Sequence, residues 1–416
     1  MKEICNSSDC TGCMACVNVC THGAIFVKED KEGFDRPVVD CNLCVDCGLC
    51  VKTCPINHLP EKNVPKEIYS GWSYDSTIRI NSSSGGAFTE IARPVLDEGG
   101  VVFGCTLNDS LHAEHVYVES IEELSEKLSG SKYVQSKIGN TYQLVKDFLK
   151  QRRVVLFSGT PCQVAGLRNY LRKDYDNLIT VDLICHGVPS PKIFEDYKLY
   201  IEHQEKMNLT DIKFRNKRKS WIFYNMLLTG NTIDGVEKKI YIGHYYKDPY
   251  IRGFLNDVFL RPSCSSCKFT TIERTSDFTI ADWWGYQRYH GESRDFEQKG
   301  VSLIFANTNK ATELFDNKIS HGLCYRKRTK EEALKTNPSL RGPSVVDSKK
   351  REEFWKDYFG GGLESVMSKY MQQVNPELIT NIKYHMKPSL FREILIWGLY
   401  KFDGCLKRLH IKRIIK

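Results

Sequence analysis

Cys10-Thr11-Gly12-Cys13-Met14-Ala15-Cys16-Val17-Asn18-Val19-Cys20 is followed by Cys44-Val45-Asp46-Cys47-Gly48-Leu49-Cys50-Val51-Lys52-Thr53-Cys54-Pro55. Both runs read C-x2-C-x2-C-x3-C. Three thiolates in one short loop can reach three corners of an iron–sulfur cubane, and the fourth comes from the other run. The spacing therefore predicts one 4Fe-4S cluster on Cys10, Cys13, Cys16 and Cys54, and a second on Cys20, Cys44, Cys47 and Cys50. Zinc sites pair two CxxC units across a longer gap, so three cysteines in tandem speak against zinc and against a disulfide framework. Cys41 also stands three residues before Cys44, which offers a shifted register. The x3-Cys54-Pro55 ending favours Cys44 as first ligand and leaves Cys5 and Cys41 as free thiols. The first run ends Cys20-Thr21-His22, without the proline. Two such centres a short distance apart move single electrons.

This is the spacing of bacterial two-cluster ferredoxins, so residues 1–60 read as a small ferredoxin-like unit. Ala24-Ile25-Phe26-Val27 and Pro37-Val38-Val39 read as short strands between the cluster loops. A polar link runs from Asn57 to about Lys66. At 416 residues the chain is long enough for two or three domains, and 41% hydrophobic content fits a real core. Seventeen cysteines, eight of them in the two runs, must stay reduced until iron is loaded, which points to a cytoplasmic protein. No apolar run resembles a signal peptide or a spanning helix. The net charge of +8, from 59 basic and 51 acidic residues, counts the cysteines as neutral and so overstates the loaded protein. No nucleic-acid-binding motif accompanies it, and no nucleic-acid partner is expected.

From Ile68 the pattern changes to strands alternating with helices. Val101–Gly104 reads as a strand, Ile121–Leu128 and Asn140–Gln151 as helices. Val154–Phe157 reads as a strand buried on both faces. A helix follows from Pro161 to Leu171, then a strand Leu178–Ile184, then a helix that Pro191 opens and that runs through Tyr200. This βαβαβα order predicts a largely parallel or mixed sheet. The fold class is thus α+β overall: a small two-cluster unit followed by an α/β domain over 67–330. A charged helical extension spans 331–416, ending in a basic amphipathic stretch, Leu390–Lys416. That stretch reads more readily as a helix packed on the domain than as a membrane-surface helix.

Later cysteines are sparse. Cys162 follows one buried strand and Cys185 the next, so a parallel sheet brings both to one edge, where open α/β sheets bind ligands. Cys264-x2-Cys267 can complete a set of four. These residues read either as a third 4Fe-4S cluster or as two packed thiols beside a dithiol or half zinc site. Cys105, Cys324 and Cys405 read as ordinary thiols. If single-electron centres serve organic chemistry, a flavin is the natural exchange point. There is no GxGxxG after a strand and no Walker loop. Instead Ser83-Ser84-Gly85-Gly86 and Gly159-Thr160-Pro161 open helices, whose N-terminal amides suit a pyrophosphate. Ser131, Lys132, Tyr133 and Gln135 add a cation and an aromatic between helices.

Taken in order, several segments resemble the family of coenzyme F420 hydrogenase/dehydrogenase β-subunits. They are Ser83-Ser84-Gly85-Gly86, Gly130–Ser136, Gly159-Thr160-Pro161-Cys162-Gln163, Cys185-His186-Gly187-Val188-Pro189-Ser190-Pro191, Cys264-x2-Cys267 and Ala281-Asp282-Trp283-Trp284-Gly285. The resemblance runs over roughly residues 1–290. It implies an FAD-dependent iron–sulfur oxidoreductase, with the third cluster on Cys162, Cys185, Cys264 and Cys267. It also implies FAD beside that cluster, cradled by the Ser/Gly turns and Lys132. The family includes deazaflavin-reducing hydrogenase subunits and a plant reductase acting on a chlorophyll derivative, so it leaves the substrate open.

The expected relay joins a ferredoxin or other redox protein, the clusters, FAD and a small organic substrate, with coenzyme F420 one candidate. His186 is either a proton donor beside the flavin or a turn cap. Arg215, Lys217 and Arg218 form a basic strip beside Trp221 that reads as a substrate or partner contact or as a solvated strand edge. Two other readings stand against this one: a non-catalytic electron-transfer subunit without flavin, and a disulfide reductase using Cys264 and Cys267.

Overall fold

The computed structural model describes residues 3–217, 220–284, 286, 299–344 and 346–372. The stretch Leu390–Lys416, Cys405, Arg218, Lys219 and Gly285 lie outside the described residues.

In the N-terminal unit, each cysteine loop runs into a short helix, Ala15–Val19 after the first and Leu49–Thr53 after the second. Strands β1 (Ile25–Glu29) and β2 (Asp35–Val39) pair antiparallel between them. Asp30 shapes their turn, its Oδ1 accepting from the amides of Glu32 at 2.9 Å and Phe34 at 3.0 Å. The two loops share one backbone device: the residues flanking the middle cysteine are left-handed in both. These are Gly12 (φ 67°) and Met14 (φ 58°) around Cys13, and Asp46 (φ 59°) and Gly48 (φ 71°) around Cys47. Such turns aim successive amides inward, as anion-binding nests do.

The main sheet has eight strands: β3 (Glu67–Ser73), β4 (Val101–Leu107), β5 (Ala113–Val118), β6 (Val155–Ser158), β7 (Leu178–Leu183), β11 (Phe278–Asp282), β12 (Ser302–Ala306) and β13 (Leu323–Lys327). Their order is β13-β3-β12-β11-β7-β6-β4-β5. Strands β4, β6, β7 and β11 run parallel. The pairs β4–β5, β11–β12, β12–β3 and β3–β13 are antiparallel. The sheet is therefore mixed, one of the two forms expected from the helix–strand alternation, with the parallel strands at its centre. The alternation stops at Glu205, where the chain leaves to build a second, antiparallel sheet of β8 (Met207–Asn216), β9 (Asn225–Thr232) and β10 (Lys238–His244). It then returns as β11 beside β7.

The expected helix Ile121–Leu128 begins as α-helix and widens to π-helix over Leu124–Leu128. Helices Thr141–Lys150 and Pro161–Leu171 cover one face of the sheet. Their core also takes in Cys13, Met14, Ala15 and Val19, so the cysteine unit and the α/β region share apolar packing. The β1–β2 turn is pinned as well: Ser190 Oγ donates to Glu32 O at 2.5 Å, and Arg351 pairs with the Glu32 carboxylate. Arg351 belongs to the helix Ser348–Tyr370, which packs on helices Pro191–Glu205 and Pro249–Leu255 and buries Phe354, Trp355 and Tyr358 in a core shared with the second sheet.

Candidate redox site

The parallel centre of the sheet decides where the site lies. β4, β6, β7 and β11 all end at one edge, and the segments at their ends line one cavity of about 440 Å³. That is within the size range of small-molecule and cofactor sites, and the position is the usual one for open α/β sheets. Of the residues expected to hold a cofactor, Ser83, Ser84, Gly86, Ser131, Lys132, Tyr133, Gln135, Gly159 and Thr160 line it. Gly85 and Pro161 do not. Gly85 instead lets the turn press on β3 (a Cβ there would meet Gly71 O at 2.4 Å), and its amide donates to Ser302 Oγ at 2.9 Å. Pro161 lies at the first turn of its helix and lines a neighbouring, smaller cavity.

The cavity has a polar and an aromatic end. At the polar end Ser131 N donates to Ser83 Oγ at 2.8 Å, joining the two Ser/Gly segments. Gly86, at φ 95°, opens helix Ala87–Asp97, whose first residues face the cavity. Lys132 Nζ donates to the carbonyls of Lys127, Leu128 and Ser129 at 3.2, 3.1 and 2.9 Å. Burial pulls its ammonium down to about 8, and it stands on the cavity wall. A hydrogen-bonded chain forms another wall. His115 Nδ1 meets Ser136 Oγ at 3.0 Å, Gln163 Nε2 donates to Ser136 Oγ at 3.0 Å, and Gln163 Oε1 accepts from Thr160 Oγ1 at 3.1 Å. Thr160 Oγ1 in turn lies 3.1 Å from Cys162 Sγ. Cys105, read as an ordinary thiol, also lines this cavity, because β4 carries it to the shared edge.

Of the aromatic end, the sequence offers Tyr133 among the cofactor residues, Trp221 beside the basic strip and Trp284 within a matching segment. Asp282 and Trp284 leave β11, and Tyr224, Phe254 and Tyr133 join them. Trp221 stacks on Trp284 with centroids 4.9 Å apart, and its Nε1 donates to Asp282 Oδ1 at 2.8 Å. Arg215 pairs with Asp282 beneath the rings of Tyr224 and Trp284. Lys217 is buried and donates to the carbonyls of Arg79, Ser84 and Lys299. This corrects the basic strip: Arg215 and Lys217 are neither a surface contact nor a solvated edge, but internal supports of the cavity wall. His186 also lines the wall. Its Nε2 lies 2.7 Å from Asp257 Oδ1, at ion-pair distance but without the alignment of a hydrogen bond. Its ring meets Phe254 edge-on at 4.9 Å.

Three smaller cavities hold the cysteines. Cys162, Cys185, Cys264 and Cys267 line one, which shares Cys162, Cys185 and His186 with the large cavity. Arg274 fixes the loop that brings the CxxC there: it pairs with buried Asp182 at 2.9 Å and donates to Phe269 O and Leu183 O. Cys10, Cys13, Cys16 and Cys54 line a second cavity. Cys20, Cys44, Cys47 and Cys50 line the third. Cys5, expected to be a free thiol, lines the second cavity too. Cys41 is exposed, and Cys324 lies half-buried in β13, away from these cavities.

Four thiols around one cavity are the donor type of thiolate-ligated iron, although among the described residues no three such side chains already converge on a single metal position. Burial pushes the free thiols up, Cys162 to about 11 and Cys264 to about 12, with Cys185 and Cys16 well above their ordinary value. Nearby cysteines push Cys185 and Cys16 further in the same direction. The four sulfurs of the Cys162, Cys185, Cys264 and Cys267 set thus resist ionising alone, whereas a bound metal deprotonates a coordinating thiol outright. Backbone amides already point at several of them, Val188 N at 3.4 Å from Cys264 Sγ among them.

Sheet, cavity and cysteine sets together define an α/β protein built for iron–sulfur redox chemistry. The chain belongs to the family of coenzyme F420 hydrogenase/dehydrogenase β-subunits. Residues 68–141 match the family's N-terminal region and 152–332 its C-terminal region, and residues 9–58 match the 4Fe-4S dicluster domain. It is thus an iron–sulfur electron-transfer protein of an oxidoreductase family. One of the subunits of the F(420)H(2) dehydrogenase of Methanosarcina mazei is 26% identical over 231 residues, covering 51% of this chain and 65% of that protein. The chain thus spans less than two thirds of that relative's length. A protein of the F420-reducing NiFe hydrogenase complex from Methanosarcina barkeri overlaps at a TM-score of 0.41 and 16% identity, over 76% of this chain and 97% of that one. That overlap is too loose to carry an argument. Among the described residues, no helix is long and apolar enough to cross a membrane.

Proposed function

We propose that the chain is an FAD-dependent iron–sulfur oxidoreductase passing electrons between a redox-protein partner and an organic substrate, coenzyme F420 being the first candidate. One observation carries this reading: the four cavities form an unbroken series. The cavities of the two N-terminal cysteine sets share Ile4. Thr11 lines the first cluster cavity, the cavity of Cys162, Cys185, Cys264 and Cys267, and the large cavity alike. Cys162 and Cys185 then join the last two. Electrons would pass from cluster to cluster along this line. FAD in the large cavity would supply the exchange between one- and two-electron chemistry.

The chain's own residues have separate tasks in this reading. Ser83, Ser84, Gly86, Gly159 and Thr160 bind the pyrophosphate through turns and helix N-termini. Lys132 balances its charge. Gln163 and Thr160 orient Cys162. Trp284, backed by Trp221, Arg215 and Asp282, offers a rigid aromatic face to a planar ring. His186, with Asp257 beside it, delivers a proton to the reduced substrate.

The test is anaerobic purification with iron and flavin quantification, followed by assays with and without coenzyme F420. The expected result is about twelve irons per chain, one FAD, and reduction or oxidation of the coenzyme. Full iron without flavin would leave a pure electron-transfer subunit. Iron near eight per chain would remove the third cluster and leave Cys264 and Cys267 free as a dithiol.

A further inference from the structure

Arg261 is among the largest fully buried side chains of the protein, 1% exposed. Its partners are neutral. Nη1 donates to Asp35 O at 3.3 Å, Nη2 donates to Gln135 Oε1, and Nε has no partner. The guanidinium lies over the ring of Phe34, 4.6 Å from its centroid. The Asp35 carboxyl feels the cation but makes no ion pair with it. Other cations near the cysteines differ in this respect: Arg36 pairs with Asp30 at 2.9 Å and Arg274 with Asp182 at 2.9 Å. A buried charge without an opposite charge is strongly disfavoured, so Arg261 needs an anion that no carboxylate supplies.

Its surroundings name that anion. Arg261 lines the cavity of Cys162, Cys185, Cys264 and Cys267, and stands three residues before Cys264. Its other side packs on the first cysteine loop: a Cβ on Gly12 would meet the guanidinium at 2.6 Å. Cys10, Cys162 and Cys264 all lie within its field. Resting on the cluster assignment above, we propose that Arg261 is the shared counter-charge of the first and third clusters. It is a positioning residue: it raises both reduction potentials and screens the two negative centres from each other along the electron path. The cavity of the second cysteine set shares no lining residue with the one that Arg261 lines.

Potentiometric EPR titration of the full chain tests this. In Arg261→Met with wild-type iron, electron affinity at the first and third clusters should each fall at least tenfold, about 59 mV for one electron. The second cluster should not move, and Arg261→Lys should stay closer to wild type. Unchanged potentials in Arg261→Met, or equal shifts at all three clusters, overturn the inference. Should Arg261→Met lose iron, Arg261→Gln and Arg261→Lys decide. Iron lost in Gln but kept in Lys means that the charge is required. Iron lost in Lys as well means that the side chain's shape is what matters, and the inference falls. Full iron in Gln returns the question to its potentials. A wild-type count near eight irons is a different failure, because it removes the third cluster itself.

Discussion

The two N-terminal cysteine loops have the same spacing and the same left-handed turns, yet they live in different surroundings. Cys13, Cys16 and Cys54 of the first set are buried, whereas Cys47 of the second is exposed and Cys44 and Cys50 are half-exposed. Gly12 presses on Arg261, while a Cβ at Gly48 would meet nothing within 4 Å. Leu43 and Val45 beside the second loop are exposed. One local motif thus sits in two environments, and the packing around it, not its spacing, sets them apart. The first loop faces inward to the sheet edge. The second faces outward, where a partner can approach.

Cys13→Ser and Cys47→Ser should break this symmetry most strongly. Each is expected to cost one cluster, taking iron from about twelve to about eight per chain. With a protein electron donor, both should lose activity to background. With a small diffusible reductant, Cys47→Ser should keep most of its activity, because the inner clusters remain reachable. Cys13→Ser should lose it with either donor. It should also lower stability by about 1–3 kcal/mol, since a hydroxyl replaces a thiol in a shared apolar core. Equal behaviour of the two variants with the small reductant would end the inward–outward distinction.

A smaller effect belongs to His115, on the cavity wall that ends at Cys162. Burial pulls its imidazole down to about 4. Between about 4 and its ordinary value of 6.5, the unfolded chain binds the proton and the folded chain does not. Stability therefore falls as pH drops through that window, by up to about 1.4 kcal/mol per pH unit and about 3 kcal/mol in all. Above pH 6.5 the group contributes no slope. Denaturant melts at pH 5 and pH 7.5 should show this loss in wild type and a reduced loss in His115→Gln. An equal loss in both would place the titrating group elsewhere.

Much of the site was legible because cysteine spacing and parallel-strand logic are local rules. Cys162 and Cys185 could be placed on one edge from two buried strands alone, and the sheet centre follows that order. What could not be read depends on returning chain. A mixed sheet is among the expectations, but the antiparallel pairing of β3, β12 and β13 spans distances that no short pattern encodes. Arg215 and Lys217 read as a substrate or partner contact or as a solvated edge, because alternation in β8 shows which residues share a face, not what covers it. Asp282 accepts Arg215 and Trp221 from the second sheet, a contact between segments more than sixty residues apart. Cys105 and Cys5 were passed over because each lacks a patterned neighbour, and only the fold brings them to a cavity.

The finest comparison is between Gly12→Ala and Gly48→Ala. Both glycines have positive φ, 67° and 71°, so an alanine at either costs about 1–2 kcal/mol in backbone strain. At Gly48 that is the whole effect, because the new methyl points into open space. At Gly12 the methyl would also collide with the Arg261 guanidinium, whose donors to Gln135 and Asp35 hold it in place. Gly12→Ala should therefore cost more than Gly48→Ala, by about another 1–3 kcal/mol from overpacking. Chemical denaturation of both variants under strictly anaerobic conditions measures the difference. Equal losses would mean that Arg261 yields freely to the methyl, and that the inner loop is no more tightly held than the outer one.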